Sequence, residues 1–331
     1  MKKVCKIGVV DMKFVELKSN IAKSLKLGYV IYGDDAFLID NSIALIVKAL
    51  ALTMPEINKV VYDETKLSFA EIVKEAQGIP FIDEKRVVIV KDYKPTDVKN
   101  DVKLLAEKKE ALAHNCFILI TGESAEVAKK FEGVLEAVDC NHLDERMLYN
   151  WIVQKVGKSG KQITENGANL LINYCNGDLT RISTETTKLI SATDLIDDKV
   201  VKNLVVPDPE FEIFELTDAL SAKDNKKVFD IINALVAKDK NSVGLVQFLY
   251  STFRRLLLVS LSTEDENTLG AKLGIKPYAV KMARKQAKKF TIKDLKLINT
   301  NLSQIDVKIK EGKLPADFSI EYAVCKILLM R

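Results

Sequence analysis

The hydrophobic pattern of this chain changes period near residue 140, and that change limits what each side of it can fold into. Before it, short apolar runs rich in β-branched residues at 29–32, 59–62, 87–90 and 117–120 read as buried strands, with 137–140 as a fifth. Helical spacing fills the gaps at 36–51, 67–77, 97–113 and 123–132. Uninterrupted apolar strands separated by helices build a parallel sheet covered on both faces, because each crossover helix must bury its own apolar stripe. A helix over 12–26 leads in, and the eleven residues before it read as a loose extension or a misassigned start. From Asn141 onward no strand pattern stands out. Amphipathic helices are expected at 142–156, 164–175, 178–191 and 197–204, with Gly157, Gly160 and Gly177 as stops. Pro207-Asp-Pro-Glu210 reads as a linker into a last helical part, broken near 223–225, 239–241, 262–267 and 312–315. The expected fold class is α/β then all-α, in three parts: 1–140, 141–206 and 207–331.

At 331 residues and 47% hydrophobic content, each part has enough apolar material for its own core. No apolar run approaches the roughly 20 residues a bilayer span needs, and Met1-Lys-Lys-Val-Cys-Lys lacks the apolar stretch of a signal peptide, so the cytoplasm is the expected address and no membrane partner is implied. Fifty basic against 46 acidic residues leave a net charge of +4, too balanced for binding nucleic acid by bulk charge; any such contact must be local. The five cysteines are odd in number and widely spaced, and read as reduced, mainly buried thiols. His114 and His142, the two histidines, have no metal-ligand spacing and read as structural. No catalytic residue, cofactor or metal site is expected.

Gly28-Tyr-Val-Ile-Tyr-Gly-Asp-Asp-Ala-Phe37 has the outline of a nucleotide-binding strand, turn and helix. A working phosphate loop needs several glycines, a lysine and a hydroxyl in the turn. Here the turn offers Gly33 followed by Asp34 and Asp35, which repel an anion; two like charges about 4 Å apart differ in energy from a neutral pair by roughly 1 to 4 kcal/mol. Capping of the next helix is the expected role of these aspartates. Gly157-Lys-Ser159 looks like the tail of a phosphate loop, but Ile152 stands where its first glycine belongs and a helix precedes it. Val87-Val-Ile-Val-Lys-Asp92 is similar to a strand ending in a magnesium-binding acid, except that Lys91 displaces the acid.

Four segments together carry a family resemblance: Tyr29-Val-Ile-Tyr-Gly-Asp-Asp-Ala-Phe-Leu-Ile39, Ile79-Pro-Phe-Ile-Asp-Glu-Lys-Arg86, Asp178-Leu-Thr-Arg-Ile-Ser-Thr-Glu-Thr-Thr-Lys-Leu189 and Ile213-Phe-Glu-Leu-Thr-Asp-Ala219, with Asp306-Val-Lys-Ile-Lys-Glu-Gly312 extending it. In this order and at these intervals they resemble the delta subunit of the bacterial DNA polymerase III clamp loader. The resemblance implies an AAA+-like first domain without a phosphate loop (1–140), a helical lid (141–206) and a helical collar (207–331). It further implies a non-catalytic subunit that binds and opens the ring-shaped sliding clamp so that it can be placed on primed DNA. The implied partners are the clamp, gamma/tau-type ATPase subunits and delta-prime-type subunits met through the collar.

The family's clamp-gripping element falls on Ile79, Pro80, Phe81 and Ile82. The residues themselves permit that role: a helix stopped by Gly78 and a turn set by Pro80 would gather apolar side chains beside the charged rim Asp83-Glu-Lys-Arg86. Packing of the same side chains onto the sheet is the alternative. A second candidate is the basic segment 271–296, where Lys281, Arg284, Lys285 and Lys288 share a helical face and Tyr278 lies beside them to stack on a base; a merely solvated face is the commoner outcome. Arg181 is expected to pair with Glu185 four residues on. The competing functions are an ATPase or phosphotransferase with an atypical phosphate loop, and a generic helical DNA-binding scaffold.

Overall fold

The computed structural model describes residues 12–62, 67–122, 125–238 and 241–330, and the chain divides between His142 and Leu143 into two compact units. The first is an α/β unit. Its elements are β1 (Met12–Lys13), α1 (Phe14–Lys23), β2 (Gly28–Tyr32), α2 (Ala36–Ala49), α3 (Pro55–Asn58), β3 (Lys59–Tyr62), α4 (Phe69–Glu75), β4 (Arg86–Val90), α5 (Val98–Glu107), β5 (Asn115–Ile120), α6 (Ala125–Lys130) and β6 (Glu136–Asp139). The strands form one parallel sheet in the order β1-β6-β2-β5-β4-β3, the parallel sheet expected from the apolar runs.

Strand alternation explains why these runs are apolar throughout. Val30, Tyr32, Val88, Val90, Phe117 and Leu119 pack with Ile72, Val73, Leu105, Ala128 and Phe131 of α4, α5, α6 and the turn after α6. Their alternates Tyr29, Ile31, Val87, Ile89 and Ile118 are buried as well, so a half-polar pattern was never available to the central strands. The pairing of β2 with β5 also demands Gly28: a Cβ there would stand 2.3 Å from the Phe117 carbonyl oxygen.

Two expectations change here. The lead-in segment begins as a short edge strand, Met12 pairing with Val138, before its helix starts at Phe14. The helix expected at 97–113 ends at Glu107, and residues 108–114 wind as turns. Two-residue strands and frayed helix ends leave no periodic signal. The first eleven residues, Cys5 among them, lie outside the described residues.

The second unit contains α7 (Glu145–Gly157), β7 (Gln162–Ile163), α8 (Glu165–Tyr174), α9 (Leu179–Ala192), β8 (Leu195–Ile196), α10 (Asp198–Leu204), α11 (Pro209–Ala222), α12 (Asn225–Lys238), α13 (Ser242–Leu261), α14 (Glu266–Leu273), α15 (Pro277–Ala287), α16 (Ile292–Lys310), a 3₁₀ turn (Ala316–Phe318) and α17 (Ser319–Met330). Contrary to the strand-free expectation, β7 and β8 pair in parallel. The long α13 carries Val246, Leu249, Phe253 and Leu256 into a core shared with α11, α12, α15, α16 and α17. Asp208 caps α11 with Pro209 in its first turn, and its carboxylate takes Arg181 at 2.9 Å. Arg181 therefore does not pair with Glu185, which engages Lys188 instead. The guanidinium also donates to the Val206 carbonyl, and two partners at the start of α11 outweigh a single i,i+4 pair worth about 0.3–0.5 kcal/mol.

Cys116, Cys140 and Cys175 are buried, and burial pushes each thiol up to about 12; Cys325 is exposed. Among the described residues no helix is long and apolar enough to cross a membrane.

Candidate functional site

In a parallel sheet the place for a ligand is the crevice at the carboxyl ends of the strands, where connections diverge to either side. Here that place lies between β2 and β5, and it is closed. The Gly33 N–H donates to the Gly122 carbonyl at 2.6 Å, and the Asp35 N–H to the Cys140 carbonyl at 3.1 Å. Asp35 caps α2 by accepting from the Leu38 N–H at 3.1 Å. Three N–H groups of the turn and helix start, those of Gly33, Asp35 and Leu38, are thus engaged within the protein. Asp34 does something else: its carboxylate accepts from the His142 backbone N–H at 3.2 Å and faces His142 Nδ1 at 2.7 Å. The hydrogen bond from His142 holds the Asp34 carboxyl below its ordinary value. Gly33, at φ +136°, could not carry a side chain, since a Cβ would stand 2.2 Å from the Cys140 carbonyl carbon. Among the described residues no cluster of three or more His, Cys, Asp or Glu is placed to hold a metal ion.

At the opposite edge of the same sheet, the chain between α4 and β4 does the reverse. α4 starts with a capping box of Ser68 and Glu71 and buries Ile72 and Val73. The loop that follows leaves Ile79 87%, Phe81 54% and Ile82 72% exposed, with Pro80 half-buried. The packed alternative is not the one adopted. The loop is nonetheless well anchored. Asn58, buried at the end of α3, donates from Nδ2 to the Phe81 carbonyl at 2.8 Å and accepts the Phe81 N–H on Oδ1 at 2.9 Å. The Asp83 carboxylate accepts the Thr53 and Met54 N–H groups at 2.8 and 3.1 Å and Asn58 Nδ2 at 2.7 Å. These donors, Thr53 first, bring the Asp83 carboxyl down to about 2. The base of the loop is tied by Lys85, whose Nζ donates to the Ala113 carbonyl at 2.6 Å. His114 Nδ1 lies 3.3 Å from the Glu84 carbonyl. Sequence reasoning found the apolar cluster but missed Asn58, which carries no local pattern and acts on a residue 23 positions away.

The second candidate surface is corrected in part. Tyr278 is only 8% exposed; its hydroxyl donates to Asn173 Oδ1 at 3.0 Å, and its ring lies against Gly177. It is packed inside the unit and offers no face for a base to stack on. Lys281 pairs with Glu145 at 3.1 Å, and Arg284 pairs with Glu266 at 3.4 Å and donates to the Glu264 carbonyl. Lys285 and Lys288 remain exposed and, among the described residues, without an ion pair. Helical phase grouped these four cations on one side of α15, whereas carboxylates from α7 and from the start of α14 divide them.

Residues 29–140 match the family model for the DNA polymerase III delta subunit, and residues 210–327 the model for that subunit's C-terminal domain. The chain belongs to the DNA polymerase III delta subunit family. DNA polymerase III subunit delta of Bacillus subtilis (strain 168) is 24% identical over 334 residues, covering 93% of this chain and 96% of that protein. The solved structure of the Bacillus subtilis DNA clamp loader delta protein shares the fold, with a TM-score of 0.76 at 20% identity over 95% of this chain and 99% of that one.

Proposed function

We propose that this chain is the non-catalytic clamp-loader subunit that grips the sliding clamp and opens it for placement on primed DNA. The observation that carries the reading is an exposed Ile79-Pro-Phe-Ile82 peg in a member of this family. The engaged Gly33, Asp35 and Leu38 donors of the β2–α2 turn, with the carboxylates of Asp34 and Asp35 beside them, support the same reading and weigh against an ATPase or phosphotransferase.

The physics of opening follows from linkage. A subunit that hydrolyses nothing can open a ring only by binding its open form better than its closed form. Phe81 inserted in an apolar pocket of the clamp, flanked by Ile79 and Ile82, supplies affinity, and the charged rim 83–86 supplies orientation. In this proposal residues 1–140 carry the grip, 141–206 form the lid, and 207–331 form the collar that meets gamma/tau-type and delta-prime-type subunits. Lys285 and Lys288 are the residues left to approach primed DNA in the assembled loader.

The test is a clamp-release assay. This chain, mixed with a clamp closed on circular DNA, is expected to release the ring without ATP, and Phe81→Ala to release it far more slowly while remaining folded. Unchanged affinity of Phe81→Ala for the ring would remove the site assignment.

A further inference from the structure

Ile82 lies at φ +65°, where a β-branched L-residue is a true outlier. The Asp83 N–H donates to the Phe81 carbonyl at 2.8 Å and closes a three-residue turn around Ile82. This is the strained, positive-φ form of the γ-turn. Backbone of that kind persists only where its surroundings over-determine it. The surroundings here are one buried side chain and the carboxylate behind it. Asn58 is 1% exposed, and its amide gives one donor to the Phe81 carbonyl, another to Asp83, and its oxygen to the Phe81 N–H. Asn58 thus engages both main-chain groups of the residue at the centre of the peg. Asp83 fixes Asn58 in turn and ties it to the backbone of Thr53 and Met54.

The turn has a consequence for the side chains. In extended backbone, neighbouring residues point to opposite faces, so Phe81 and Ile82 would not both be free of the protein surface. The reversal at Ile82 breaks that alternation and leaves Ile79, Phe81 and Ile82 exposed together. Exposed apolar side chains on a relaxed loop would collapse onto the nearest surface, and a partner would have to extract them. Held out in advance, they bind without that ordering loss.

We propose that Asn58, braced by Asp83, is the positioning residue that holds the 79–82 peg in its strained, preformed shape for the clamp. This rests on the gripping role proposed above, and the experiment separates the two. The full chain and its variants Phe81→Ala, Asn58→Ala, Asp83→Ala and Asn58→Ala/Phe81→Ala are titrated with the sliding clamp of the same organism, and each is unfolded in denaturant. Expected losses of affinity are about 30-fold for Phe81→Ala, about tenfold for Asn58→Ala and about fivefold for Asp83→Ala. The double variant should be no more than about twofold weaker than Phe81→Ala, because Asn58 acts through the peg. Losses that multiply would mean that Asn58 only stabilises the fold, and would overturn the inference. So would wild-type affinity of Asn58→Ala and Asp83→Ala beside a weakened Phe81→Ala, a result that leaves the gripping role intact. Wild-type affinity of Phe81→Ala itself would remove the gripping role and the inference with it. Should Asn58→Ala fail to fold, Asp83→Ala decides alone, since Asp83 lies on the half-exposed rim.

Discussion

Two loops on opposite edges of one sheet use aspartate and distant partners to opposite ends. At the carboxyl edge, Gly33, Asp34 and Asp35 direct donors and carboxylates inward, onto Gly122, Cys140, Leu38 and His142. At the other edge, Asn58 engages both main-chain groups of Phe81 and Asp83 ties the loop to Thr53 and Met54, while the apolar side chains of the loop face solvent. Satisfying a loop's polar groups therefore closes a site when the satisfied atoms are the ones a ligand needs. It builds a site when those atoms only support side chains that point away. The turn after β2 is of the first kind, and the loop before β4, in the proposed role, of the second.

The largest expected effect breaks the closed loop. Gly33→Ala forces a Cβ against the Cys140 carbonyl in a backbone region reserved for glycine. It should cost about 3 kcal/mol or more, read from the denaturant midpoint. Near-normal stability would show that the turn can open and would erase the contrast.

Next comes the exposed loop, where the effect must appear in binding and not in folding. Phe81→Ala should weaken the clamp complex by about 2 kcal/mol while shifting folding stability by less than about 0.5 kcal/mol. A large loss of stability would return the peg to the protein's own core.

His142→Ala is expected to cost about 1 kcal/mol near neutral pH through loss of the imidazole contact with Asp34, the backbone N–H bond being kept by alanine. The pH dependence supplies the sign. Because His142 depresses the folded-state value of Asp34 below its ordinary 3.8, the contribution is complete above about pH 5 and is lost as pH falls through the depressed value. In His142→Ala the acid limb of the stability curve should be shallower. An unchanged limb would show that the Asp34–His142 contact does not hold the turn.

The smallest effect concerns a surface outside both loops. Reversing Lys285 and Lys288 to glutamate should reduce the salt slope of DNA binding by the assembled loader by about one to two, with stability unchanged. Tyr278→Phe should leave DNA binding as it is, since that hydroxyl serves Asn173. A defect in DNA binding for Tyr278→Phe alone would overturn its placement as a packed residue.

The parallel sheet was legible because strands buried on both faces must be apolar without interruption, as Tyr29-Val-Ile-Tyr32 and Val87-Val-Ile-Val90 are. The capping role of Asp35 was legible because it is local, within one helical turn. The Ile79-Pro-Phe-Ile82 cluster was legible as composition, but nothing in it distinguished an exposed peg from a packed corner. The short strands β1, β7 and β8 escaped because two residues carry no period. Tyr278 and Arg181 were misplaced for one reason: each found a partner brought by another element, Asn173 of α8 and Asp208 at the start of α11.

By itself, then, the order of residues determined the alternation of strand and helix, the later run of helices and the loss of a phosphate-binding turn, because these depend on neighbours within a few positions. Tertiary structure alone decided which polar groups meet: Asn58 with Phe81 across 23 positions, Tyr278 with Asn173 across 105, His142 with Asp34 across 108. Hydrogen bonds reach about 3 Å whatever the separation along the chain, so only the folded arrangement selects the partner.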